Sequence, residues 1–157
     1  MDIYTVLARQ TIRLYLNENK LPDLQKAPAE LLTKRQSCFV SLHNKSDHGL
    51  RGCIGTILPV HKNLAAEIIS NAISAATGDP RFAPVVKEEI ENLNISVDVL
   101  SKPESIDSEK LLNPKKYGVI VKASDDRTGL LLPDIEGVET VKEQIAVCRQ
   151  KAGIGAD

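Results

Sequence analysis

Residues 50–55 read Leu50-Arg51-Gly52-Cys53-Ile54-Gly55, which puts a guanidinium two positions before a thiol. Side chains two residues apart on an extended strand point to the same face of a sheet. We therefore expect Arg51 and Cys53 to share a face, and we expect Gly52 and Gly55 to leave the backbone open to close approach. The pattern is typical of a thiolate or anion site, but also of a tightly packed strand without chemistry.

The preceding residues predict that this stretch is one arm of a β-hairpin. Residues 38–43 read as a strand, residues 44–49 have the composition of a turn, and residues 50–58 read as the second strand. A slip of one residue would exchange the two faces, so the register matters. Closing the turn with Asn44 opposite Gly49 predicts the further pairs Val40–Cys53, Leu42–Arg51 and Cys38–Gly55.

The rest of the chain alternates between helical and extended patterns. Apolar periodicity predicts helices over 2–18, 62–77, 85–91 and 138–152, and strands over 94–100, 119–123 and 129–132. Pro80 and Pro84 keep the segment between them out of regular structure. Hairpin strands mixed with helices predict an α+β fold, in which an antiparallel or mixed sheet packs against helices in two layers.

Bulk composition narrows the class of protein. A chain of 157 residues with 42% hydrophobic and 26% charged residues is typical of one soluble domain, or of two small lobes that share a core. A net charge of −1 and 3% aromatic residues argue against a general nucleic-acid binder. No apolar run approaches the roughly 20 residues of a membrane span, and no basic-then-apolar leader opens the chain. Three well-separated cysteines favour a reducing, cytoplasmic setting.

Three groups of segments, in this order, resemble one family. They are Phe39-Val40-Ser41-Leu42 with the 50–55 stretch, Ala75-Ala76 with Asp79-Pro80-Arg81-Phe82, and Leu131-Leu132-Pro133 with Lys151-Ala152-Gly153. Together they resemble the AMMECR domain family, named after the human chromosomal region deleted with Alport syndrome, midface hypoplasia and elliptocytosis. The resemblance runs from the first helix to near residue 154. It implies one domain over 1–157 with a larger lobe and a smaller sub-lobe within about 101–135.

The resemblance implies partners but no reaction. Prokaryotic members are often encoded beside, or fused to, a Memo-like protein and a radical-SAM protein, so a place in a modification pathway is expected. Members usually continue past the Lys-Ala-Gly segment into a closing strand, whereas this sequence stops at Asp157. Without that strand, a sheet edge would be exposed.

Cys53 is the candidate nucleophile, with Arg51 and Asp79 as its candidate catalytic partners. A free thiol has a pKa of about 8.5, and a neighbouring arginine lowers it. The alternative is that Cys53 is a small, inert hydrophobic residue in a glycine-lined strand. His43, His48 and His61 are candidate bases only because the hairpin brings them into the neighbourhood.

Charged residues supply a candidate anion clamp made of Arg51 and Arg81, which suits a carboxylate or a phosphate. A carboxylate that acts as a general base needs a raised pKa, whereas an adjacent arginine lowers the pKa of Asp79. Asp79 is therefore interpreted as an orienting acid. The alternative is an ion pair of Asp79 with either arginine. Phe82 is interpreted as a core plug or a stacking surface, and it joins the binding set together with Gly52 and Gly55.

These residues predict a cleft between the 50–55 strand and the 79–82 loop that binds a small anionic molecule or an anionic peptide end. The first hypothesis is a thiol-dependent small-molecule or group-transfer enzyme, and the second is a non-catalytic interaction module with a structural Cys53. A local nucleic-acid contact through Arg51, Arg81 and nearby lysines is a third, which the near-neutral charge disfavours. No cofactor or metal is expected, because the cysteines and histidines lack zinc-ligand spacing and the Gly-x-x-Gly of the 50–55 stretch lacks a phosphate-loop setting.

Overall fold

The computed structural model describes residues 2–155, which form two compact units that meet in sequence between Lys102 and Pro103. The second unit begins close to the start predicted for a smaller sub-lobe and continues beyond residue 135. The first unit contains α1 (Ile3–Glu18), α2 (Ala29–Thr33), β1 (Cys38–Asn44), β2 (Leu50–Gly55), α3 (Leu64–Thr77) and β3 (Leu93–Val99), with 3-10 turns at Leu24–Lys26 and Lys87–Asn92. The second unit contains a 3-10 turn at Glu109–Leu111, then β4 (Val119–Lys122), β5 (Thr128–Leu131) and α4 (Val141–Lys151).

The predicted α+β class is confirmed, and every strand pairing is antiparallel. The sheet of the first unit has the order β2-β1-β3, so β2 is an edge strand. Two expectations were wrong in detail. The strand predicted over 50–58 ends at Gly55, and the helix predicted over 85–91 is a 3-10 turn over Lys87–Asn92.

The core of the first unit lies between the sheet and the helices α1 and α3. Apolar side chains at helical spacing on both helices pack against the inward face of the strands. The apolar periodicity of α1 and α3 in the sequence reflects this packing. The N-cap of α3 is Asn63, whose side-chain oxygen accepts the Ala66 N–H at 2.9 Å. The largest fully buried apolar side chains are Ile12, Leu31, Leu42, Leu64, Ile68 and Leu93.

The hairpin register differs from the predicted one because the β1–β2 ladder contains an irregularity between Leu42 and His43. His43 pairs with Leu50, as the closed turn requires, but Leu42 pairs with Gly52, which leaves Arg51 without a partner. Arg51 is therefore the extra residue of a β-bulge. The predicted register would have placed its guanidinium opposite the buried Leu42, where an unpaired charge is costly. The observed pairs beyond the bulge are Ser41–Cys53, Val40–Ile54 and Phe39–Gly55.

The corrected register gives the sheet two different faces. Opposed residues lie on the same face, so Leu42 and Gly52 face the helices, while Ser41 and Cys53 face away from them. Ser41 also pairs with Ser96 of β3, and the strands therefore carry a row of small polar side chains across all three. We call this the polar face; its remaining residues are Phe39, His43, Gly55, Asn94 and Asp98, with the exposed Leu50 opposite His43.

The second unit confirms the predicted hairpin and C-terminal helix, with β4 and β5 paired and packed against α4. Thr140 caps α4 and forms a reciprocal capping box with Glu143. Its buried core is small: Val119, Leu131, Val138 and Cys148. Among the helices of residues 2–155, none combines the length and the apolar character that crossing a bilayer requires.

Candidate functional site

The backbone of Cys53 is held on the outer edge of β2 by two side chains from the loop after α3. The Asp79 carboxylate accepts the Cys53 N–H at 2.9 Å, and Arg81 Nη2 donates to the Cys53 carbonyl at 3.2 Å. Thr56 N donates to Cys38 O three positions along the ladder, and hydrogen-bonded and non-hydrogen-bonded pairs alternate. Cys53 and Ser41 therefore form a non-hydrogen-bonded pair, and the backbone N–H and C=O of Cys53 point outward from the sheet. Asp79 and Arg81 therefore replace one rung of a missing neighbouring strand.

Asp79 and Arg81 also bind each other. Arg81 Nη2 lies 2.7 Å from Asp79 Oδ2, and Arg81 Nε donates to Oδ1 at 3.0 Å. The hydrogen bonds from Arg81, followed by the Cys53 N–H, hold the pKa of Asp79 far below its usual range despite its burial. Asp79 thus remains a carboxylate, which suits an orienting role and not that of a general base. The ion pair considered from the sequence is present.

The Cys53 thiol is the partly exposed one among the three free cysteines, because Cys38 and Cys148 are buried. The Ser41 hydroxyl lies 3.3 Å from the Cys53 sulfur and donates to it from the neighbouring strand. This hydrogen bond links the sulfur to the central strand of the sheet. The sulfur therefore has one defined polar partner and a backbone that cannot shift along the edge.

The Arg51 guanidinium binds Glu89 and a backbone carbonyl, and it shares no partner with Arg81. Its Nε and Nη2 bind the two oxygens of Glu89 at 2.9 and 3.1 Å, and its Nη1 donates to the Ala83 carbonyl at 2.9 Å. The Arg51 side chain is 15% exposed, whereas that of Arg81 is 55% exposed. The bulge removes the basis for the expected shared face of Arg51 and Cys53, and the nitrogens of Arg51 are already occupied.

The two glycines of the 50–55 stretch meet the protein's own atoms. A Cβ at Gly52 would lie 2.2 Å from the Ala75 carbonyl oxygen, and one at Gly55 would lie 2.3 Å from the Phe39 ring. Helix α3 and an aromatic ring thus occupy the space that was expected to admit a close approach. Both glycines are required for packing, and their role in binding stays a prediction.

Phe82 is partly buried, and the Arg81 guanidinium lies over its ring at 5.5 Å from the centroid. Such a contact limits the freedom of an exposed arginine. Arg81 is therefore held from two sides, by Asp79 and by Phe82, yet its Nη1 has no hydrogen-bond partner among residues 2–155. This nitrogen is the part of the loop that can meet an anion.

Comparison with known proteins agrees with the resemblance read from the sequence. The AMMECR1 family model matches residues 5–157. The chain belongs to the AMMECR1 family. A protein of Thermotoga maritima is 51% identical over 153 residues, which cover 96% of this chain and 86% of that protein.

Two further AMMECR1 relatives differ from this chain in length or sequence. A protein of Clostridium acetobutylicum is 47% identical over 98% of this chain, which spans 32% of that relative. The crystal structure of the uncharacterised protein PH0010 from Pyrococcus horikoshii has a TM-score of 0.86 at 34% identity, with 96% of this chain and 78% of that chain covered. The names of these relatives assign no activity.

Sequence reasoning missed two residues that shape this AMMECR1 site. Ser41 was read only as part of a strand, and the corrected register was needed to bring it opposite Cys53. Glu67 is fully buried in α3 and accepts from Thr56 Oγ1 at 2.5 Å and from the N–H groups of Val60 and His61 at 3.0 and 2.8 Å. The sequence offered one sign of this role: Glu67 lies on the apolar face of the helix predicted over 62–77, where a carboxylate needs hydrogen-bond partners. It anchors the segment that follows β2.

Metal ligation finds no support in the described residues. Within residues 2–155, no three or more His, Cys, Asp or Glu side chains are grouped so that they could hold a metal ion. His43 and His48 line one shallow hollow, while the backbone N–H of His61 binds Glu67 elsewhere. None of the three histidines is a hydrogen-bond partner of the Cys53 sulfur, whose partner is Ser41.

Proposed function

We propose that this protein is a thiol-dependent group-transfer enzyme in which the Cys53 sulfur carries the transferred group. The observation that supports it is the combination of a partly exposed thiol, a hydroxyl donor at 3.3 Å and a backbone held on both outward groups. A nucleophile on a rigid element with a fixed partner is pre-organised for reaction.

The reaction class that these groups suit is acyl transfer. The sulfur attacks the carbonyl carbon of an activated acyl compound, and the new S–C bond forms as the bond to the leaving group breaks. The leaving group departs with the electron pair and takes up the thiol proton. A second nucleophile then attacks the thioester carbonyl, the S–C bond breaks with its electron pair on sulfur, and the proton of the second nucleophile restores the Cys53 thiol. No oxidant or reductant is consumed.

Arg81 supplies the binding charge in this proposal. Its side chain is 55% exposed, and its Nη1 has no hydrogen-bond partner among residues 2–155. A carboxylate or phosphate on the acyl donor would meet this nitrogen beside Cys53, with Phe82 and the 50–55 backbone next to it. Arg51 takes the supporting role of fixing the bulge through Glu89.

A non-catalytic interaction module is the second candidate. Leu58 and Val60, in the segment between β2 and α3, expose large apolar side chains, which favours contact with another protein. A partner strand cannot easily add to the sheet at Cys53, because Asp79 and Arg81 already bind the outward N–H and C=O of this residue. Memo-like and radical-SAM partners in a modification pathway, and a cytoplasmic location, are part of the leading proposal of a group-transfer enzyme. The free state of all three cysteines supports a reducing compartment.

Alkylation of the native protein tests the leading proposal. We expect iodoacetamide to modify Cys53 in the folded protein, while Cys38 and Cys148 react only after denaturation, as read by peptide mass spectrometry. Ser41→Ala should slow the modification of Cys53, and Ser41→Thr should restore it. Modification of Cys53 no sooner than that of the two buried cysteines would refute a nucleophilic role and favour the interaction module.

A further inference from the structure

The polar face of the first unit's sheet carries a hollow that the proposed function does not use. It has a volume of about 240 Å³ and is lined by His43, His48, Asn94, Ile95 and Ser96. Ligand pockets are commonly about 300 to 1,000 Å³. The hollow therefore fits one end of a molecule better than a whole one.

The strand register connects this hollow to the thiol. Cys53 pairs with Ser41, and Ser41 pairs with Ser96, which belongs to the lining. Neighbouring strands lie about 4.8 Å apart, so the hollow begins two strand spacings, or about 10 Å, from Cys53 on the same face. Ser41 lies between the two and carries a short side chain.

The hydrogen-bonding groups in the hollow are unused. The imidazoles of His43 and His48, the amide of Asn94 and the hydroxyl of Ser96 have no hydrogen-bond partner among residues 2–155, and the side chains of His48, Asn94 and Ser96 are exposed. The lining contains no carboxylate. Imidazole, amide and hydroxyl groups both donate and accept hydrogen bonds, so they suit a hydroxyl or carboxylate group.

We propose that this hollow is a substrate subsite, which binds the polar end of the group carried on Cys53. The inference rests on the proposed function and specifies its substrate class: an acyl group about as long as an acetyl unit followed by two amino-acid residues, with a hydroxyl or carboxylate at its far end. An acetyl unit followed by two residues spans about 10 Å when extended, which matches the separation of the thiol from the hollow. Short acyl groups such as acetyl would not reach it.

Three alkylating reagents that differ in chain and in polar end test the subsite. N-iodoacetyl-glycylserine amide carries the polar end, N-iodoacetyl-glycylvaline amide of the same length and charge carries an apolar one, and iodoacetamide carries no chain. We expect the glycylserine reagent to modify Cys53 about five- to tenfold faster than the glycylvaline reagent, which is the contribution of one neutral hydrogen bond. Rates are measured in the full chain and expressed relative to iodoacetamide, so that general changes in thiol reactivity cancel.

Substitutions in the lining should remove this preference. The ratio of the glycylserine to the glycylvaline rate should fall to about one in His43→Ala and in Ser96→Ala, while His61→Ala, outside the hollow, should keep it. A ratio of one in the wild-type protein, or a ratio that survives both lining substitutions, would overturn the subsite while leaving Cys53 as a nucleophile.

An equilibrium measurement keeps the two proposals separable. N-acetyl-glycylserine is titrated against Cys53→Ser, and the imidazole signals of His43, His48 and His61 are followed by NMR. Saturable shifts at His43 and His48 but not at His61 support the subsite, even where alkylation shows the thiol to be inert. The absence of such shifts, or equal shifts at all three, overturns the subsite.

Discussion

The Asp79 carboxylate accepts the backbone N–H of Cys53 at 2.9 Å, so a loop side chain completes the hydrogen bonding of an edge strand. Arg81 donates to the carbonyl of the same residue, so the two side chains together hold one position of β2. Edge strands otherwise present free backbone groups to other chains. This contact joins the two signature segments, 50–55 and 79–82, in one structural unit.

Asp79→Asn should destabilise the fold by about 1–3 kcal/mol, because a buried acceptor of charge-assisted hydrogen bonds is lost. The pKa of Asp79 is lowered, so its stabilisation is present above its usual pKa of 3.8 and disappears as the pH falls below that value. Urea unfolding at several pH values between about 2 and 7 measures both effects, and the variant should lack this part of the acid dependence.

The matched control for Asp79 is Asp125, which pairs with Arg127 at the same i, i+2 spacing but on the surface. Asp125→Asn should change the free energy of unfolding by less than about 0.5 kcal/mol. Equal effects at both positions would contradict the role assigned to the Asp79–Cys53 contact.

Gly52→Ala should destabilise the protein by about 3 kcal/mol or more, because the added Cβ would lie 2.2 Å from the Ala75 carbonyl oxygen. The obstacle is helix backbone, which cannot swing aside as a side chain can. Thermal unfolding followed by circular dichroism measures the loss. Gly155→Ala is the control, since nothing lies within 4 Å of its added Cβ. A Gly52→Ala protein as stable as the wild type would show that β2 can move away from α3.

Glu67→Leu should cost about 3 kcal/mol or more, because the N–H groups of Val60 and His61 and the Thr56 hydroxyl would lose their shared acceptor inside the protein. Glu67→Gln should cost less, since the amide oxygen can keep the two N–H groups and its NH₂ can donate to the Thr56 hydroxyl. Urea denaturation compares the two with the exposed control Glu88→Gln. Similar losses for Leu and Gln would argue that the negative charge itself matters.

Cys38 should make the fold sensitive to alkali. Burial raises the pKa of the Cys38 thiol to about 11 from an ordinary value of 9.0, so the folded state holds its proton where the unfolded state releases it. The stability contributed by the neutral thiol is complete below about pH 9 and is lost between about pH 9 and 11, by up to about 3 kcal/mol. Unfolding free energies across this range should fall more steeply in the wild type than in Cys38→Ala. Parallel curves would contradict the assignment.

Much of the fold was predictable because its signals are local. The apolar periodicities of α1 and α3 and the alternation of β3 depend only on neighbours in sequence, and the bounds found are Ile3–Glu18, Leu64–Thr77 and Leu93–Val99. The 3-10 turn over Lys87–Asn92 was read as a helix because both share an i, i+3 pattern over so short a segment.

The site was less predictable because its geometry depends on one inserted residue. Arg51 and Cys53 are two apart in sequence, and an unbroken strand would have aligned them with the buried Val40 and Leu42 on the core face. The bulge shifts the register by one, which turns Cys53 toward Ser41 and lets Arg51 reach Glu89. No local pattern in a hairpin reveals which residue is left unpaired.

The amino-acid sequence alone determined the α+β class, the order of the elements, the family and the segments that would carry the site, because periodicity, turn residues and motif order are properties of neighbouring positions. Tertiary structure alone decided that Asp79 and Arg81 hold the edge at Cys53, that Gly52 makes room for α3, and that Ser41 meets the sulfur. These contacts join residues far apart in sequence, and only close packing of a bulged strand against a helix selects them.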